Sequence, residues 1–151
     1  MKKLLISLLV IIMIGVGLQA VTLEYWMWDP DLKARTENLI AKFESENPGI
    51  EVNLTVMEPS DYWTKIRIMA MTGKLPDVFN MSSGYIEEWT ANDFLKDLTE
   101  YVETDINPDE FFVNLFEAGS EIANTDKVYA VPFALVVTVL YYNKDMFDEA
   151  G

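Results

Sequence analysis

Neither cysteine nor histidine occurs in the 151 residues. Without cysteine the chain forms no disulfide and has no thiol for a lipid anchor, so side-chain packing must supply its stability. Without either residue type, the common zinc ligand sets and the Ser-His or Cys-His nucleophile pairs cannot be built. Positive charge is also scarce, with 11 Lys and Arg against 25 Asp and Glu. The net charge of −14 repels phosphate backbones and matches anionic lipid poorly, which argues against nucleic acid and membrane surfaces as partners. Repeats and low-complexity linkers are absent. Half of the residues are hydrophobic and 13% are aromatic, too apolar a composition for a disordered acidic tail.

What is present begins with an N-terminal address. Met1-Lys2-Lys3 is basic, Leu4 to Leu18 is apolar apart from Ser7, Gly15 and Gly17, and Gln19-Ala20 precedes a polar chain. The apolar run is shorter than the ~20 residues of a relaxed bilayer span. Basic start, apolar middle and small-residue exit predict a secretory signal over residues 1–20, cleaved after Ala20; an uncleaved anchor is the plainer alternative. Leu18 is larger than the residue usual two positions before such a cut. Export places the remaining chain in the periplasm or outside the cell, with no direct membrane insertion after cleavage. It also removes Lys2 and Lys3, making the product more acidic still. About 130 residues remain, enough for one domain.

Leu23 to Trp28 reads as an aromatic-rich strand. Asp29-Pro30 then suits a helix start, with Leu32, Leu39, Ile40 and Phe43 on one face and Asn47-Pro48-Gly49 as the stop. Ile50, Val52, Leu54 and Val56 alternate, predicting a second strand. Ser60 opens a second helix with an apolar stripe of Tyr62, Trp63, Ile66, Met69 and Ala70, ended by Gly73. Val78 to Met81 reads as a short third strand, Ser82-Ser83-Gly84 as a turn, and the next segment as a short helix through Ile86 and Trp89. Asn107-Pro108 precedes a helix carrying Phe111, Phe112, Leu115 and Phe116. Asn124 to Lys127 is a turn, Val128 to Pro132 is extended, and Leu135 to Tyr142 is a strand of β-branched and aromatic residues. This alternation predicts an α/β architecture, a parallel-rich sheet with helices on both faces.

In such sheets ligands bind at the carboxyl ends of the strands. That rule singles out Trp28-Asp29, Glu58 to Tyr62, and Ser82 to Tyr85. Trp28 offers an indole platform and Asp29 a carboxylate acceptor, although core packing and helix capping account for the same residues. Glu58 is a candidate acceptor or an ordinary exposed acid. One of Tyr62 and Trp63 belongs to the core and the other faces the cleft. Ser82, Ser83 and Tyr85 are candidate contacts, or Ser82 is a plain helix cap; Trp89 reads as packing. The patterns Asn53-Leu54-Thr55 and Asn80-Met81-Ser82 fit the glycosylation rule but are discounted. Asp29-Pro30-Asp31 lacks the glycine and later glutamate of a calcium loop. Neither cofactor nor metal is implied.

Four blocks carry a resemblance: Phe43-Glu44 to Asn47-Pro48-Gly49-Ile50-Glu51-Val52, Gly73-Lys74-Leu75-Pro76-Asp77-Val78-Phe79, Lys127-Val128-Tyr129-Ala130-Val131-Pro132, and Leu140-Tyr141-Tyr142-Asn143-Lys144-Asp145-Met146-Phe147. Each is weak alone. In this order behind a signal, the chain resembles the N-terminal portion of family 1 bacterial extracellular solute-binding proteins, which include the maltodextrin-binding proteins. The resemblance implies the periplasmic-binding-protein type II fold, two α/β lobes with a ligand cleft between them. It assigns residues 21–132 to the N-terminal lobe and 133–151 to the hinge and first strand of a second lobe, and implies a truncated product or a fragment. It further implies non-catalytic capture of a sugar or oligosaccharide for an ABC transporter permease. Glu58 falls where maltodextrin-binding members place a carboxylate against sugar hydroxyls, Ser82 to Tyr85 where members place polar and aromatic contacts, and Phe133 in the hinge lining. Val136 stands where those members carry a glutamate, which argues for a different hydroxyl pattern. Peptide and polyamine ligands stay open, as do an exported carbohydrate-active enzyme using two carboxylates and a sensor fragment.

Overall fold

The computed structural model describes residues 20–107, 110–111, 115–136 and 138–151. The signal assigned to residues 1–20 therefore lies outside the described residues apart from Ala20, as do Pro108, Phe112 and Val137. The chain divides into two compact units, the first ending at Asn80 and the second starting at Met81.

In the first unit, β1 (Val21–Met27), β2 (Ile50–Val56) and β3 (Val78–Phe79) form one sheet in the order β2-β1-β3. Both pairings are parallel, as the strand–helix alternation predicts. Register runs from Val21 opposite Ile50 to Met27 opposite Val56, and Met57 N–H extends the ladder to Met27 O at 3.0 Å. Two carboxylates continue the hydrogen bonding where no strand carbonyl is available. Asp77 Oδ2 accepts from Glu24 N–H just ahead of β3, and Glu44 Oε1 accepts from Val52 N–H on β2, each at 2.8 Å.

Asp29 caps a short 3₁₀ turn, Pro30–Leu32, its Oδ1 accepting from Asp31 N–H at 3.0 Å. Helix α1 (Lys33–Glu46) follows and packs on β2. Its predicted apolar face is covered in part: Leu32 and Ile40 are half-buried, whereas Leu39 and Phe43 are exposed. Helix α2 (Pro59–Met71) starts one residue before the expected Ser60, because Pro59 fits the first helical position. Its stripe is as predicted, with Tyr62, Ile66 and Ala70 buried. Gly73 ends it at φ +65°, a left-handed conformation that a side chain would strain. Burial along β1 rises from exposed Val21 to fully buried Met27, so the sheet is best packed at its carboxyl end.

The second unit holds α3 (Ser83–Ala91), α4 (Thr99–Asp105), α5 (Leu115–Ile122) and α6 (Lys144–Ala150). Helix α3 packs against α5, and the unit's core is Ile86, Trp89, Val102, Phe116 and Ala123. Trp89 packs edge-on to Phe94, as a packing residue should. Three readings need correction. Helix α4 was not foreseen, since Val102 is its one buried residue and no stripe marks it. No predicted helix covers Lys144–Ala150 either, yet Asn143 Oδ1 caps α6 through Met146 N–H at 3.2 Å. The described residues of Leu135–Tyr142 form no strand. β-branched composition favours a pleated surface only where a neighbouring strand supplies the hydrogen bonds, and none is paired here. This segment is correspondingly exposed, with Val136, Leu140 and Tyr141 each at about nine-tenths.

Candidate functional site

The carboxyl end of β1 and the first turn of α2 bring three aromatic rings together. Trp28 lies 5.1 Å from Tyr62, edge-on, and 5.1 Å from Trp63 at a tilt of 38°. Tyr62 and Trp63 are 5.2 Å apart and nearly perpendicular. These separations match favourable aromatic pairs, each contributing about 0.5–1.5 kcal/mol beyond area burial. Tyr62 is fully buried, while Trp28 and Trp63 are half-buried. Successive helical residues point about 100° apart, so one ring enters the core and its neighbour stays at the surface. Of the two residues between which the sequence left the choice open, Tyr62, although within the segment singled out for ligand contacts, is the core residue, and Trp63 is the ring left half-buried at the surface.

Beneath the rings the polar groups are satisfied. Tyr62 donates its hydroxyl to Asn80 O at 2.6 Å, and Tyr25 donates to Asn80 Oδ1 at 2.8 Å. Burial, with Tyr25 close by, pushes the Tyr62 phenol well above its ordinary range; burial also raises Tyr25. Both stay neutral donors at physiological pH.

Two acids border the platform. Asp29 follows Trp28 and already uses Oδ1 as a cap, so the capping role weighed from sequence is realised. Glu58 occupies the N-cap position of α2, one turn before Tyr62; it is exposed, and its side chain makes no cap bond. Two half-buried indoles beside an exposed carboxylate combine apolar surface with a hydrogen-bond acceptor, the mixture found in sites for small polar ligands.

The remaining candidates belong to the second unit. Ser82 is the N-cap residue of α3, yet its side chain makes no cap hydrogen bond, so the plain-cap reading does not hold for its hydroxyl. Ser83 is exposed and Tyr85 half-buried, with Tyr85 N–H donating to Ser82 O at 3.0 Å. Phe133 is exposed in the unpaired segment. In the same unit the Lys127-Val128 block is clasped to the start of α4. Asp97 Oδ1 accepts from Thr99 Oγ1 at 2.6 Å and from Thr99 N–H at 3.0 Å, and Lys127 Nζ lies 3.1 Å from Asp97 Oδ2. Val128 N–H donates to Thr99 Oγ1, and Leu98 N–H donates to Val128 O. The Thr99 hydrogen bonds, then Lys127, hold the Asp97 carboxyl down at about 2.

Parallel α/β units offer ligand sites at the carboxyl ends of their strands, where this aromatic cluster lies. Residues 29–151 match the family described as bacterial extracellular solute-binding protein, and the chain belongs to that family. It is 30% identical over 142 residues to the Multiple sugar-binding protein of Streptococcus mutans, covering 87% of this chain and 30% of that protein. A solved structure of the solute-binding protein RafE in complex with raffinose superposes with a TM-score of 0.62 at 26% identity, covering 85% of this chain and 32% of the other. The ABC substrate-binding protein Lmo0181 of Listeria monocytogenes, in complex with cycloalternan, gives 0.58 at 27% identity, over 65% and 26%. The chain thus spans less than a third of the length of these relatives.

Proposed function

We propose that the chain is part of an extracytoplasmic, non-catalytic binding protein that captures a sugar or oligosaccharide for an ABC-type importer. The observation that carries this reading is the pair of half-buried indoles, Trp28 and Trp63, resting on buried Tyr62 at the carboxyl end of a parallel sheet. The indoles supply C–H stacking, and Glu58 and Asp29 supply hydroxyl acceptors. Ser82, Ser83, Tyr85 and Phe133 are proposed as further contacts, each to be judged by its own substitution. Support comes from relatives named for sugar binding and from those solved with raffinose and cycloalternan. The signal-like N-terminus supports export.

The test is titration of the chain with raffinose, maltotriose and a panel of peptides and polyamines, read by calorimetry. Saturable binding of an oligosaccharide that is recovered chemically unchanged is expected. Release of cleaved sugar, or binding confined to peptides or polyamines, overturns the reading.

A further inference from the structure

Asn80 directly follows β3, and three elements meet on it. Its N–H donates to Trp26 O at 3.0 Å, continuing the pairing of β3 with β1. Its carbonyl accepts from Tyr62 of α2 at 2.6 Å, and its side-chain Oδ1 accepts from Tyr25 of β1 at 2.8 Å. The Tyr62 ring is therefore held at its hydroxyl by Asn80 and along its edge and face by Trp28 and Trp63. A fully buried ring held at both ends cannot swing. Both indoles rest on it, so their mutual tilt of 38° is set from below.

We infer that Asn80 is a positioning residue for the platform: its side chain, tied to Tyr25, keeps its main-chain carbonyl in place under the Tyr62 hydroxyl, and through Tyr62 it fixes the tilt of Trp28 against Trp63 and acts on the ligand. Stacking surfaces discriminate between ligands only when their supporting groups keep them in one geometry. The residue type follows from the chemistry. A leucine would orphan the Tyr25 hydroxyl in a half-buried site, whereas asparagine offers a neutral acceptor there. In its affinity arm the inference rests on the proposed sugar site; in its geometric arm it does not.

The experiment uses the far-ultraviolet exciton couplet of the two indoles, the part owed to that pair being defined by its loss in Trp63→Phe. In Asn80→Ala the couplet is expected to change at temperatures where the protein stays folded. Affinity for raffinose or maltotriose is expected to fall about three- to ten-fold, the value of one net hydrogen bond. Asn80→Asp keeps the acceptor and is expected to keep the native couplet. If Asn80→Ala does not fold, Tyr25→Phe removes the same side-chain tie, and Tyr62→Phe removes the separate bond to the Asn80 carbonyl; both are expected to move the couplet. A native couplet in these variants, with or without a lower melting temperature, overturns the inference. A changed couplet with affinity unmoved in both Asn80→Ala and Trp28→Ala sustains the positioning role and overturns the sugar site instead.

Discussion

Two adjacent residues, Tyr62 and Trp63, divide buried support from the proposed contact surface, and substitutions at them should separate accordingly. Tyr62→Ala leaves a cavity beneath the platform and is expected to cost about 3–5 kcal/mol of stability, read by denaturant unfolding. Trp63→Ala, at the half-buried position, is expected to cost less stability than Tyr62→Ala while lowering oligosaccharide affinity about ten-fold or more in calorimetry. Titration of the buried phenol gives a further check. The folded-state value of Tyr62 is raised above its ordinary 10.0, so the folded chain holds this proton more tightly than the unfolded chain does. Its contribution is complete below pH 10 and is lost as pH rises further, because the unfolded state then ionises first. Tyr62→Phe is expected to flatten the alkaline end of the stability curve; an unchanged alkaline limb would show that the phenol is not protected.

Among the elements, the clasp between α4 and the Lys127-Val128 block makes a prediction of opposite sign. Asp97 is lowered from an ordinary 3.8 to about 2 by its Thr99 hydrogen bonds first and Lys127 after them. Its contribution is present above pH 3.8 and is lost as pH falls toward 2. Asp97→Asn is expected to accelerate hydrogen exchange at the Val128 and Leu98 amides above pH 4 and to leave it unchanged near pH 2. Equal acceleration at both pH values would remove the carboxylate from the explanation. The clasp was not legible in the sequence, because Asp97, Thr99 and Lys127 are common surface residues whose meeting depends on the tertiary path. The parallel sheet was legible, since Ile50, Val52, Leu54 and Val56 alternate and helical stripes separate the strands. The choice between Tyr62 and Trp63 was not, because apolar residues at a helix start do not fix the helix's rotational phase. Leu135 to Tyr142 misled for a related reason: composition reports suitability for a sheet, not the presence of a partner strand.

On the scale of the whole molecule, that same segment dominates the apolar surface. Leu135, Val136, Val139, Leu140, Tyr141 and Tyr142 are all exposed, and Phe147 follows in α6. Contiguous apolar surface of this kind favours association. The 151-residue chain is expected to self-associate with rising concentration in sedimentation velocity, and Leu140→Lys with Tyr141→Lys to shift it toward monomer; equal behaviour of both proteins would place the sticky surface elsewhere. The opposite end of the chain is better guarded. Glu44, eight residues before Val52, occupies the N–H of that edge strand from within its own α-β passage. A chain emerging N-terminus first carries this seal before the strand it protects is complete. One outward N–H of β2 is thus taken before the rest of the polypeptide arrives, which leaves a second copy one fewer donor to pair with on that side.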